Sequence, residues 1–137
     1  MWGRGKGGEM DQLIEMEGAR VFVFARQGSL LQSERDAGDF MSAAWSQQAD
    51  FLAIPADRLG PDFLTLGTRV AGEVFQKLVT YRLRCAIVGD ISDALDRSQA
   101  LRDFVRETNR GSSVWFVADL EQLRAKLSAA KTLQSHG

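Results

Sequence analysis

The sequence holds one cysteine, Cys85, and one histidine, His136. A single cysteine excludes a disulfide within the chain, which suits a reducing compartment and points to the cytoplasm. A histidine one residue from the C-terminus offers no fixed imidazole, which argues against Ser-His-Asp and Cys-His catalysis. The two residues are too few for a zinc site, and neither a metal nor a cofactor is expected. No apolar run approaches the roughly 20 residues of a membrane span, so no membrane contact is expected. The N-terminus lacks the apolar stretch of a secretory signal. Charge of neither sign dominates: 17 Lys and Arg stand against 18 Asp and Glu, a formal net charge of -1. A nucleic-acid binder usually carries a basic excess, which makes nucleic acid an unexpected partner.

What is present fits one globular domain. The 137 residues are 45% hydrophobic and 26% charged, enough to bury a core without covalent staples. Residues 1–9 read as a flexible Gly-rich leader, 10–130 as the domain, and 131–137 as a frayed tail. Gly3, Gly5 and Gly8 match G-x-G-x-x-G, but no strand precedes them, as the dinucleotide-binding version requires. Leu13–Met16 and Ala19–Ala25 read as strands joined by a Glu17-Gly18 turn, an opening hairpin. Ser33 caps a helix whose apolar face is Ala37, Phe40, Met41, Ala44 and Trp45. Phe51–Pro55 is a third strand. Pro61 opens a helical region with Leu66, Val70, Val74, Leu78 and Tyr81 on one stripe. Cys85–Val88 is a buried strand closed by Gly89-Asp90. Ser98 begins a helix that Gly111 ends as a C′ glycine. Val114–Val117 is the last strand, and Asp119 with Gln122 forms a capping box for a final helix. Trp45 and Trp115 both fall on positions expected to face the core. The order is that of an α/β domain. A mixed, mostly parallel sheet of about five strands, with an N-terminal β-hairpin, is covered by about four helices.

Open α/β sheets gather ligands at the carboxyl ends of their parallel strands. That edge should present Arg26 to Ser29, Asp57 and Arg58, then Asp90, Ser92 and Asp93, then Asp119. Clustered carboxylates there could serve acid/base or magnesium chemistry, although Asp also caps turns and helices for local reasons. The helix after Pro61 contains Gly72, which costs about 1 kcal/mol relative to alanine in a helix interior. Close packing on a neighbour is the expected compensation, with approach of a ligand as the alternative. Thr65 and Thr68 near the start of that helix could face a phosphate or accept one, or could simply cap it. Glu73 and Lys77, four residues apart, are expected to form a surface ion pair. Lys77, Arg82 and Arg84 read as a solvated basic face.

The segments Asp62-Phe63, Ala71-Gly72-Glu73, Gln76-Lys77, Tyr81 and Ala86-Ile87-Val88-Gly89-Asp90 resemble a bacterial family, domain of unknown function 4180. A second block, Leu101-Arg102-Asp103-Phe104, Glu107 and Asn109-Arg110-Gly111, resembles it too. The likeness covers roughly residues 12–127. Arg69 stands where that family tends to have Gly, Phe75 where it tends to have Leu, and Thr80 where it tends to have Asn. The resemblance implies that Gly72, Glu73, Gln76, Lys77, Asp90, Arg102, Glu107 and Asn109 are the positions to test. It implies no activity. The element order is also similar to that of STAS domains, the class of anti-sigma-factor antagonists. Those carry a phosphorylatable hydroxyl at the N-terminus of the helix after the third strand, where Thr65 or Thr68 would stand here.

Three functional readings follow. The first is a non-enzymatic regulatory or protein-interaction module with a STAS-like sheet, partnered by another protein. A homodimer is the base-rate expectation. The second is a small-molecule or phosphate-binding domain, or an enzyme using Asp90 and Glu73; it requires Glu73, Asp90 and Arg102 to share one cleft. The third is a DNA-bound regulator using Lys77, Arg82 and Arg84.

Overall fold

A computed structural model describes residues 10–136, with side chains as far as Lys131. The leader expected at residues 1–9 lies outside them. Five strands form one sheet in the order in which they occur: β1 (Gln12–Met16), β2 (Ala19–Val23), β3 (Phe51–Pro55), β4 (Arg84–Val88) and β5 (Val114–Val117). β1 runs antiparallel to β2, and β2 through β5 run parallel. The hairpin turn has Glu17 at φ 50° and Gly18 at φ 86°. Two successive positive φ values make the type I′ geometry that matches strand twist.

The helices are α1 (Glu34–Ser46), α2 (Val70–Thr80), α3 (Ser92–Arg97), α4 (Gln99–Arg110) and α5 (Leu120–His136). α5 carries helical backbone into the stretch read above as a tail. Strand alternation sorts the core cleanly, because successive side chains point to opposite sheet faces. Phe22, Leu52, Ile54, Cys85, Ile87, Val114 and Phe116 face one side, where α1 and α2 bury their apolar stripes and Phe104 and Val105 of α4 pack. Val21, Val23, Phe51, Ala53, Ala86, Trp115 and Val117 face the other, under Leu120, Leu123 and Leu127 of α5. No helix among the described residues is long and apolar enough to cross a membrane.

This topology changes where a ligand can sit. In a doubly wound sheet, the strand order reverses and the diverging crossovers open a crevice. Here strands follow one another without reversal. The crossover helices α1, α2 and α4 share one face, and no such switch point arises.

Three local expectations are corrected. The helix after Pro61 begins at Val70 instead, after a turn and a short 3-10 segment at Leu66–Thr68. Arg69, at φ 66°, breaks the path between them. The stripe through Leu66 is therefore not one helix. Trp45 is 44% exposed, whereas Trp115 is buried. Trp45 lies at the flank of the α1 stripe, and its ring meets Tyr81 edge-on at 5.7 Å, near the end of α2. Gly111 does follow α4, but with extended backbone (φ -80°, ψ -171°), not as a left-handed cap.

Candidate functional site

α2 is held from below. Ala71, Val74, Phe75 and Leu78 recur at helical spacing and are buried. The Phe75 ring stacks on Phe104 at 6.2 Å and meets Phe63 and Phe116 edge-on at 5.6 and 5.8 Å. The helix closes in a Schellman motif: Leu83 N–H donates to the Leu78 carbonyl and Arg82 N–H to Val79, both at 2.9 Å, with Arg82 at φ 61°. Its position on the sheet is thus fixed at both ends.

The outward side of α2 forms a groove of about 820 Å³. Gly72, Glu73, Gln76 and Lys77 line it together with Arg69, Thr80 and Tyr81; Glu34 of α1 and Phe104 of α4 bound its flanks. Four of the positions singled out by the family resemblance therefore meet on one surface. A Cβ built on Gly72 finds no heavy atom within 4 Å. The expected compensation for this glycine, packing on a neighbour, is absent, and its bare backbone opens onto the groove. Glu73 forms no ion pair with Lys77. Lys77 Nζ turns instead to the Glu34 backbone carbonyl at 3.3 Å, and the Glu73 carboxylate has no polar partner among the described residues. Arg69 occupies a left-handed conformation that costs a non-glycine residue roughly 1 kcal/mol, and it too is exposed.

The remaining candidates lie elsewhere. Asp90 is exposed at the carboxyl end of β4, and its Oδ1 accepts the Ser92 N–H at 2.9 Å. The Ser92 hydroxyl and backbone N–H together hold its carboxyl below the usual carboxylate range. This is the turn role open to any aspartate at that place. Arg102 clips α3 to α4 by donating to the Leu95 carbonyl and, at 2.7 Å, to Gln99 Oε1. Glu107 pairs with Arg110 on the surface at 3.1 Å. Asn109 bonds both backbone groups of Phe116, accepting its N–H at 2.7 Å and donating to its carbonyl at 3.2 Å. It thereby covers the open edge of β5, whose backbone would otherwise lack partners. Glu73, Asp90 and Arg102 do not converge on one cleft.

The carboxyl edge of the strands does hold a hollow of about 670 Å³, lined by Asp57, Thr65, Asp90, Asp93 and Arg97. Asp57 is already paired with Arg26 at 2.9 Å. Thr68 is exposed, and its hydroxyl lies 2.8 Å from the Thr65 carbonyl and 2.9 Å from that of Asp62, while accepting from Val70 N–H at 3.3 Å. It is part of the turn that delivers α2. Neither threonine lies within the first turn of α2, which begins at Val70; Thr65 precedes and Thr68 ends the short 3-10 segment before it. Among the described residues, no group of three or more His, Cys, Asp or Glu could hold a metal ion. Cys85 is fully buried, and burial pushes its thiol pKa up.

Arg58, expected to be presented on this edge, is instead a buried structural charge. Arg58 is 7% exposed; it donates to the Ser29 carbonyl at 2.7 Å and the Ala25 carbonyl at 2.9 Å, and lies 4.9 Å from the Phe40 ring centroid. Desolvation lowers its pKa, and the Asp11 charge opposes that. A Cβ on Gly28 would fall 2.7 Å from its Cζ. The loop after β2 is thus fastened to Arg58 by its backbone, while residues 26–30 stay exposed. Lys77, Arg82 and Arg84 do not form one face either. Arg84 lies over Phe51 and Trp115, on the sheet face opposite α2.

A family model described as domain of unknown function (DUF4180) matches residues 16–127. No curated protein matches the chain, and no solved structure does.

Proposed function

The chain belongs to the DUF4180 family, and from that premise we propose that it acts as a non-enzymatic, regulatory protein-interaction module whose contact surface is the outward face of α2. The observation that carries this reading is Gly72. It stands in the first turn of α2, two residues past Val70, where it still lowers helix propensity relative to alanine; it meets nothing inside the chain, and it opens the backbone to whatever lies in the groove. Arg69 adds a second unfavourable backbone choice at the same surface. Unfavourable backbone choices gathered on one exposed face suit a surface selected for contact. Exposed Trp45, Val79 and Tyr81 supply the aromatic and apolar area that interfaces favour.

The non-enzymatic part rests on chemistry. The one thiol is buried with a raised pKa, and Asp90 and Asp57 are engaged in local bonds. A STAS-like regulatory role in a bacterial cytoplasm agrees with the element order and the single reduced cysteine. The test is affinity capture from native lysate with the wild type, Gly72→Leu and Tyr81→Ala, each checked for an unchanged fold by circular dichroism. The reading expects partners that the wild type recovers and both variants lose. Equal recovery by all three refutes it.

A further inference from the structure

We infer that the α2 face binds a second copy of this chain, with the two α2 helices antiparallel about a two-fold axis. This rests on the reading of α2 as a docking face and names its occupant. Arg69, Glu73, Lys77 and Tyr81 follow one another at four-residue spacing along the groove. They present a positive charge, a negative charge, a positive charge and an aromatic ring. Turned half a revolution about its midpoint, the ridge is complementary to itself. Glu73 comes opposite Lys77 of the second copy, and Arg69 opposite its Tyr81 ring, as a cation over an aromatic face. The two-fold axis makes each contact twice.

The charges also disfavour the alternatives. Sliding the second helix by one turn one way sets Arg69 against Lys77 and Glu73 against Glu73. Sliding it the other way sets Lys77 against Lys77. A parallel arrangement sets every charge against its like. Like charges brought together in an interface act against the wrong register.

The side chains are free to make these contacts. The Glu73 carboxylate has no polar partner among the described residues. Lys77 gives one proton to the Glu34 carbonyl and keeps two more. Gly72 leaves bare backbone on this face where any other residue would place a side chain. Tyr81 and Trp45, 54% and 44% exposed and in edge contact, provide apolar cover at each end of the symmetric patch. The patch is modest. An 11-residue helix is about 16 Å long, so its face falls short of the roughly 800 Å² per partner of standard interfaces. A weak dimer that dissociates on dilution is expected.

The test is sedimentation equilibrium of the full chain from about 1 μM to about 1 mM. The wild type should show a monomer–dimer equilibrium. E73K and K77E each set like charges across the axis twice, and each should weaken the dimer by about tenfold or more. The double variant E73K/K77E restores opposite charges and should recover the wild-type association to within a few-fold. Circular dichroism establishes that each variant is folded. A wild type that stays monomeric throughout overturns the inference. So does a dimer indifferent to the single substitutions, or a double variant as weak as the singles. The capture assay above reads partners of other sequence. A monomeric wild type whose captured partner is lost by Gly72→Leu would sink this inference and leave the docking face standing.

Discussion

Replacing Gly72 by alanine tests whether this residue answers to anything inside the chain. The position has no positive φ, and an added Cβ meets no heavy atom within 4 Å. The substitution therefore changes helix propensity and little else, a gain of about 0.5–1 kcal/mol at this place in the first turn of α2. For a domain of 137 residues, that raises Tm by about 2–5 °C. Thermal and urea unfolding followed by circular dichroism measure it, with an unchanged urea m-value indicating that the native and denatured states are otherwise alike. The same methyl projects into the groove, so the variant should be more stable and bind its partner less well. A lower Tm would refute the reasoning, because it would require a packing contact at Gly72 within the fold.

Arg69→Gly relieves a left-handed residue at φ 66° and should stabilise the fold by about 0.5–1 kcal/mol; a loss of stability in urea titration would mean that the Arg69 side chain supports α2. Asn109→Ala removes two hydrogen bonds to the Phe116 backbone and should cost about 2 kcal/mol, read as a drop in Tm of several degrees; a neutral effect would remove its role at the β5 edge. The Asp90 carboxyl, whose ordinary pKa is 3.8, is lowered in the folded chain by the Ser92 hydroxyl and N–H. A depressed folded value adds stability above pH 3.8, lost as pH falls through the folded pKa. Asp90→Asn should therefore lower Tm at pH 6 and lose that difference in strong acid; a difference independent of pH would contradict this.

The strands were legible because their signal is local. Leu13–Met16, Phe51–Pro55 and Val114–Val117 are apolar runs bounded by turn residues, and the sheet places its strands within a residue or two of those bounds. The Ser33 and Ser98 caps bond as expected, to Asp36 N–H and Leu101 N–H. Asp119 and Gln122 bond the backbone at the start of α5, at Gln122 N–H and Ala118 N–H. Periodicity could not register Arg69, whose backbone leaves the helix without any proline or glycine to mark it. α3, at six residues, is too short to display a period. Trp45 misled because a residue at the margin of a helical stripe is buried or exposed according to the neighbouring helix, which is a tertiary fact.

The site was legible in half. Gly72 stood out as a helix glycine, and Glu73, Gln76 and Lys77 through the family resemblance, and these meet in the groove. Asn109, Arg102 and Glu107 carry the same kinds of side chain, yet they bond backbone or neighbours within the fold. Residue type alone does not distinguish a polar group serving the fold from one facing out. The carboxyl-edge expectation came from doubly wound sheets, and the consecutive strand order removes the switch point on which it depends.

Contact through α2, and not through the strand ends, is open to a direct test. A photo-crosslinking residue placed at Gln76, in the α2 groove, and separately at Asp93, in the carboxyl-edge hollow, tests it in living cells. A discrete higher-mass adduct is expected on irradiation from position 76 and none from position 93. An adduct from position 93 alone would contradict it.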